Sequence, residues 1–249
     1  MTSELYTLTS GMVAQWARFE VLANNLANAD TPGFKADDLI LKPIEPPADS
    51  TVAPLLLLPS GPWPPQGVEI EGQVTDFRQG PLRQTDRPLD VALDGPGFLV
   101  VETPAGPRYT RAGSFTLDRD GFLVTAGGHR VLGQGGPVSV PGPDVTVDRQ
   151  GRIQRGGETI DTLRVVDFPL PYAFLKEGGQ LLRPRDPAAP PSNVTGTEVL
   201  SGALEGSNVG LIESMVAMIE TLRTFEAYQR MIQSVDQTLQ RATNDLGRV

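Results

Sequence analysis

The residues that could do chemistry in this chain are few and poorly placed for it. Gly95-Pro96-Gly97 has the look of a glycine-rich phosphate loop, whose backbone amides would cradle an anion. Pro96 removes one of those amides, and the tripeptide lies between two short strand candidates, so a turn is the better reading. Asp118-Arg119-Asp120-Gly121 looks like the start of a calcium loop. The third acidic ligand and the distal Glu are missing at the required offsets, which leaves a hairpin turn. His129, the single histidine, follows Gly127-Gly128 with no ligand types beside it and reads as a surface turn residue rather than a base. Ser114 and Ser139 have no adjacent His to activate them. A carboxylate pair for glycoside hydrolysis is a spatial property, and nothing in the spacing points to one. Cysteine is absent, which removes disulfides, thiol catalysis and Cys/His zinc sites. The expectation is no catalytic, cofactor-binding or metal residue, and no enzyme.

The elements that would position any site are of two kinds, a helix near each end and a strand-rich body between them. From about Ser3 to Asn28, Leu5, Leu8, Met12, Phe19, Leu22 and Leu26 recur at spacings of three and four, with Gln15 at the missing step. That spacing predicts a heptad seam of the coiled-coil kind. A second helix is expected from about Val209 to Leu246, with Ser207 or Asn208 as its N-cap. Its stripe is Leu211, Met215, Met218, Leu222 and Phe225, then Tyr228, Ile232, Val235, Leu239, Ala242 and Leu246 after a one-step shift. Stripes of this length have more apolar surface than a small β domain covers, so intermolecular packing is expected of them.

Between the helices the reading is of strands and tight turns. Eight prolines between Leu41 and Pro65 forbid helix there and predict an extended, stiff arm. Leu55–Leu58 and Trp63 would be its apolar contact. From Val68 to Leu182, short apolar runs separated by Asp-Gly and Gly-Gly turns predict an antiparallel β domain. The domain scheme is therefore 1–34 for the first helix and its stop, 35–67 for the arm, 68–182 for the β domain, 183–208 for a return linker and 209–249 for the second helix. The fold class expected is α+β: long N- and C-terminal helices forming a coiled-coil-like domain, with a central, mainly antiparallel β domain.

Composition narrows the partners. Lys plus Arg is 21 against 30 Asp plus Glu, for a net charge of −9, and the basic residues are scattered. No general nucleic-acid surface is expected. Apolar runs such as the four leucines 55–58 fall far short of a membrane span. The first residues, MTSELYTLTSG, have neither a basic nor an apolar region of a secretory signal. Any export is expected to proceed without a cleavable signal peptide.

Four stretches carry a resemblance. Leu22–Phe34 contains Ala23-Asn24-Asn25-Leu26-Ala27-Asn28 and then Thr31-Pro32-Gly33-Phe34. Arg87–Phe98 reads RPLDVALDGPGF, and Tyr109–Leu123 reads YTRAGSFTLDRDGFL. Gly202-Ala203-Leu204-Glu205-Gly206-Ser207-Asn208-Val209 leads into Met215–Ile219. Together, in this order, they resemble the bacterial flagellar rod and hook proteins, covering both ends and the middle.

The resemblance implies a structural, axial subunit of the flagellar basal-body rod in the periplasmic space, exported by the flagellar type III apparatus. It implies terminal helices that pack with other copies and with proximal and distal rod subunits, no cofactor and no membrane insertion. The wording is that of the proximal-rod members, with the distal-rod members as the near alternative. Outside the family, a β-rich carbohydrate-binding or hydrolytic module with helical dimerisation ends is the competing reading. The residues carried over as an assembly motif are Ala23, Asn24, Asn25, Leu26, Ala27, Asn28, Thr31, Pro32, Gly33 and Phe34. Those at the start and along the seam of the second helix are Glu205, Gly206, Ser207, Asn208, Val209, Met215, Met218, Leu222, Phe225, Ile232 and Leu239.

Overall fold

The computed structural model describes residues 2–44, 67–142, 145–187, 190–194 and 196–246. Residues 45–66, which hold most of the proline-rich arm with Leu55–Leu58 and Trp63, lie outside the described residues. The chain divides into two compact units. Unit 1 comprises Met1–Ala27, Asp37–Asp76 and Gly210–Val249, and unit 2 comprises Asn28–Ala36 and Phe77–Val209.

Unit 1 holds the two helices, α1 (Thr2–Ala27) and α2 (Leu211–Leu246), with the strands β1 (Asp37–Pro43) and β2 (Val68–Thr75). Neither helix contains proline, and the Asn28–Gly33 segment stops α1 as its residue types require. The helices lie antiparallel: Trp16 stacks at 5.8 Å on Phe225, while Gly11 faces Tyr228. β1 and β2 form an antiparallel ribbon from Asp37↔Thr75 to Pro43↔Val68, with a bulge between Ile40 and Leu41. Two polar contacts fix the ribbon to α1. The buried Asn25 amide brackets Asp37, donating to its carbonyl at 2.8 Å and accepting from its N–H at 3.0 Å. Ser10 Oγ accepts the Val68 N–H at 3.2 Å.

The terminal helices are not the long coiled coil that the heptad spacing predicts. Leu8, Met12, Phe19, Leu22 and Leu26 are all only half-buried. The most covered positions of α1 that face no strand are instead Gly11 and Ala14, the latter 2% exposed. A Cβ on Gly11 would lie 2.8 Å from the Tyr228 ring. The glycine thus admits a flat aromatic side chain where a coiled coil would seat an aliphatic knob. On α2 the covered row runs through Met218, Thr221, Phe225, Tyr228, Ile232, Val235 and Leu239. Thr221, 4% exposed, takes the place expected of Leu222. Its hydroxyl is satisfied by donating to the Ala217 carbonyl at 2.7 Å, so a polar residue can be buried there. The one-step shift in the expected stripe disappears with that exchange.

Unit 2 is the β body. Its first strands are β3 (Leu82–Gln84), β4 (Val91–Asp94), β5 (Phe98–Thr103), β6 (Gly106–Thr110), β7 (Phe115–Leu117), β8 (Leu123–Thr125) and β9 (Arg130–Val131). There follow β10 (Thr146–Val147), β11 (Arg152–Arg155), β12 (Glu158–Thr162), β13 (Val165–Asp167), β14 (Phe174–Lys176) and β15 (Leu182–Pro184). The last are β16 (Ser192–Asn193), β17 (Glu198–Ser201) and β18 (Ala203–Glu205). The main sheet has the order β14-β15-β6-β5-β9-β8-β7, with β13 pairing both β5 and β16. Smaller sheets are β10-β11-β12, β4 with β17 and β3 with β18, and among the described residues every strand pairing in this unit is antiparallel.

β5 explains how this body is packed. Phe98-Leu99-Val100-Val101 is a continuous apolar run, and all four are buried. Side chains alternate along a strand, so Leu99 and Val101 enter one cluster with Val91, Leu93, Phe115 and Val131. Phe98 and Val100 enter the other with Tyr109, Val166 and Phe168. In that second cluster Phe77, Tyr172 and Phe174 meet Phe98 edge-on, with centroids at 5.8, 5.2 and 4.9 Å. Such contacts add about 0.5–1.5 kcal/mol per pair beyond burial. The Asp118–Gly121 segment is a turn, with Asp118 Oδ1 accepting from the Asp120 and Phe122 amides at 2.9 and 2.7 Å.

Gly11 gives a direct test of the helix pairing. Leu is a better helix former than Gly by about 0.8 kcal/mol, so an unpaired helix would gain from Gly11→Leu. Overpacking against Tyr228 should instead cost about 1–3 kcal/mol and lower the thermal midpoint of the 222 nm circular dichroism signal. A raised midpoint would show that the helices do not meet at Gly11.

Candidate functional site

The two motifs singled out in the sequence, one near each end, come together inside unit 2. The segment that leads out of α1 runs 28–36, and the segment that leads into α2 runs 205–209. Their meeting point is Glu205, whose side chain is 0% exposed. Its Oε1 accepts from Lys35 Nζ at 2.5 Å and from the Gly80 N–H at 3.0 Å. Its Oε2 accepts from Arg111 Nη1 at 3.3 Å. Lys35 is 2% and Arg111 5% exposed. One carboxylate therefore holds two buried cations and a backbone amide, the satisfied state that a buried charge requires.

The surrounding bonds belong to the same junction. Lys35 Nζ also donates to the Arg78 carbonyl at 2.8 Å. The Gly33 N–H donates to the Glu205 carbonyl at 2.8 Å. Asn208 bridges: its Oδ1 accepts the Ala36 N–H at 2.7 Å and its Nδ2 donates to Arg78 O at 3.1 Å. Lys176, from β14, donates to the Lys35 carbonyl at 2.5 Å and sits 4.5 Å from the Phe34 ring centroid. Arg111 reaches further, donating through Nη2 to Gly95 O at 2.9 Å and lying 5.3 Å from the Phe98 ring centroid.

Two glycines are required by this closeness. Gly33 has φ +69°, and a Cβ there would lie 2.4 Å from the Ala112 nitrogen. A Cβ on Gly80 would lie 2.2 Å from the Gly206 carbonyl oxygen. The positive φ and the backbone approach of Gly33 both exclude a larger residue. This gives Thr31-Pro32-Gly33-Phe34, which follows the end of α1 at Ala27, a physical role: its glycine lets the chain lie against the body.

The remaining motif residues divide by place. Asn25 fixes β1 as described, while Asn28 Oδ1 accepts from Thr31 Oγ1 at 3.2 Å. Asn24 and Ala27 are exposed, and Ala23, Leu26, Thr31, Pro32 and Phe34 are half-buried. Ser207 is 6% exposed and accepts the Val209 N–H at 3.2 Å, with Gly206 and Val209 half-buried. Neither Ser207 nor Asn208 caps α2: Gly210 does, its carbonyl accepting from Ser214 N–H at 2.9 Å. Met218, Phe225, Ile232 and Leu239 lie on the covered row of α2, whereas Met215 and Leu222 are 49% and 39% exposed.

Sequence reasoning missed Lys35, Gly80, Arg111 and Lys176. Lys35 and Arg111 each stand beside or within a quoted motif, but charge pairing across 170 residues leaves no periodicity to read. Among the described residues, no group of three or more His, Asp or Glu could hold a metal ion. What the arrangement can do is mechanical: it fixes the exit of one helix to the approach of the other.

Removing the charge at the centre should be costly. Glu205→Gln leaves two buried cations without their carboxylate and should lower stability by about 3 kcal/mol or more, measured by urea unfolding of the full chain. A loss under 1 kcal/mol would show that the junction tolerates the unmatched cations.

The likeness to known proteins follows the same three regions. Residues 5–35 match the family described as "Flagella basal body rod protein". Residues 92–155 match "Flagellar hook protein FlgE/F/G D1 domain", and residues 200–246 match "Flagellar basal body rod FlgEFG protein C-terminal". The chain is 31% identical over 252 residues to the flagellar basal-body rod protein FlgF of Caulobacter vibrioides, covering 100% of both chains. It is 34% identical over 267 residues to FlgF of Salmonella typhimurium, covering 97% of each. It is also 33% identical over 262 residues to the rod protein FlgG of Buchnera aphidicola, covering 97% of this chain and 98% of that one. With both ends and the body matched in order, and the junction that joins the two end motifs now located, the chain belongs to the flagellar basal-body rod protein family, as a structural subunit of the FlgF or FlgG kind.

Proposed function

We propose that this subunit builds the proximal part of the rod, as the FlgF type does, and that it joins its neighbours through the uncovered side of α2. The observation that carries this reading is a run of exposed apolar residues. Leu211 is 52% exposed, Ile212 74%, Met215 49%, Val216 50%, Ile219 51% and Leu222 39%. At about 100° per residue, the six fall within an arc of about 140°, on a different side from the row that faces α1. On α1, Tyr6, Val13 and Trp16 are 57%, 52% and 49% exposed. A contiguous apolar stripe of this kind is characteristic of an interaction surface, and a rod subunit has other copies and other rod proteins as its partners.

The finer parts of the reading follow from family membership and from residue content. The subunit acts as a mechanical element and not as an enzyme, and it uses no cofactor. It reaches the periplasmic rod through the flagellar type III export apparatus. The distal reading has its own support in the likeness to proteins named FlgG, at 33% identity.

Leu222→Asp tests the surface. In the free chain the side chain is part-exposed, so unfolding stability should change by no more than about 0.5 kcal/mol. In an interface a carboxylate without a partner costs several kcal/mol, so the variant should be exported yet absent from basal bodies. Normal motility with Leu222→Asp would remove Leu222 from the interface. Immunogold labelling of purified basal bodies separates the two positions: label confined to the short proximal segment is expected, and label along the whole distal rod would favour the distal type.

A further inference from the structure

We propose that Met215 is an oxidation site, and that its conversion to the sulfoxide by a peroxide bars the subunit from the rod. This rests on the reading that the apolar stripe of α2 is the subunit's interface. The chain has five methionines and no cysteine, so thioethers are the only sulfur that a two-electron oxidant can meet. A thioether has no proton to lose, and its susceptibility follows its exposure. Met215 is 49% and Met231 52% exposed. Met12 and Met218 are half-buried, Met218 in the row that faces α1.

The peroxide alone balances the step. A sulfur lone pair attacks one oxygen of hydrogen peroxide, an S–O bond forms and the O–O bond breaks. Sulfur gives up two electrons. The proton on the attacked oxygen passes to the departing hydroxide, which leaves as water. A sulfoxide reductase returns the thioether.

The neighbours of Met215 make this oxidation consequential. On a helix the residues three and four positions away are adjacent. For Met215 these are Leu211, Ile212, Met218 and Ile219, none of which has a side-chain hydrogen-bond donor. For Met231 they are Ala227, Tyr228, Ser234 and Val235, two of which carry hydroxyls. At about 100° per residue, Met231 also falls outside the arc that the stripe occupies. A sulfoxide oxygen is a polar acceptor. Water satisfies it in the free subunit, where Met215 is half exposed. Burial of the stripe would strip that water away from an oxygen whose own helix offers no replacement. Oxidation at Met215 therefore acts on docking and not on the fold, whereas oxidation at Met231 is neutral. A subunit oxidised before docking is refused, and a docked subunit has its sulfur covered.

Peptide mapping of the full-length protein after a hydrogen peroxide pulse tests the site. Met215 and Met231 should convert at least about fivefold faster than Met12 and Met218. Conversion of Met215 no faster than Met218 would overturn it. Met215→Gln tests the consequence, by placing a neutral polar side chain of similar length in the stripe. The variant should unfold at the wild-type midpoint and be exported, yet enter purified basal bodies at least about tenfold less than wild type. Met231→Gln should enter as wild type does. Exclusion of both variants alike would overturn the special place of Met215. Normal entry of Met215→Gln together with exclusion of Leu222→Asp would overturn the proposal and leave the interface standing. Normal entry of both Met215→Gln and Leu222→Asp would remove the interface itself, and the proposal with it.

Discussion

The ion pair of Glu205 with Lys35 and Arg111 is the constraint around which the β body closes. A carboxylate with no solvent exposure needs a donor on each of its oxygens. Here the donors come from three distant parts of the chain, at residues 35, 80 and 111. That requirement fixes where the chain may lie. Gly33 and Gly80 are glycine because backbone must pass within contact distance of backbone on either side of the pair. Asn208 and Lys176 then satisfy the carbonyls and amides that the close approach leaves behind. A buried pair of this kind adds little net stability over apolar packing, but it is intolerant of error. Its contribution is to specify one arrangement of two segments that would otherwise have many.

Unit 1 is organised differently. Its helices meet through a glycine, an alanine and aromatic rings, and its ribbon is fixed by two polar contacts to α1. Large apolar side chains remain in water on both helices. Apolar surface left exposed in one subunit becomes a driving force once many subunits are present. The body has two buried apolar clusters of its own. The division suits a structural subunit of a rod: one part specified internally, one part with apolar surface to spare.

Local rules alone determined a good deal here. The two helices came from proline-free stretches with three- and four-residue apolar spacing, and α1 and α2 run within two residues of the expected ends. Several strands of the body, such as β4, β5 and β8, came from short apolar runs cut by Asp-Gly and Gly-Gly turns. The order of four motifs was enough to recognise the family. Each of these is a property of neighbouring residues, read over a few turns of helix or one hairpin.

Tertiary structure decided what depends on distance across the chain. Whether Leu222 or Thr221 faces α1 is a choice between adjacent residues, settled by Gly11 admitting the Tyr228 ring and by the threonine hydroxyl finding its own helix carbonyl. The heptad spacing of α1 could not reveal that, because a seam needs a matching partner and the partner supplies aromatic rings instead. Ser207 and Asn208 read as caps by type, yet the fold uses them in the junction and caps α2 with Gly210. Lys35, Arg111 and Glu205 are, in sequence, three charges among many. Only burial at one point turns them into a site, since a charge in water needs no particular partner and a charge in the interior does.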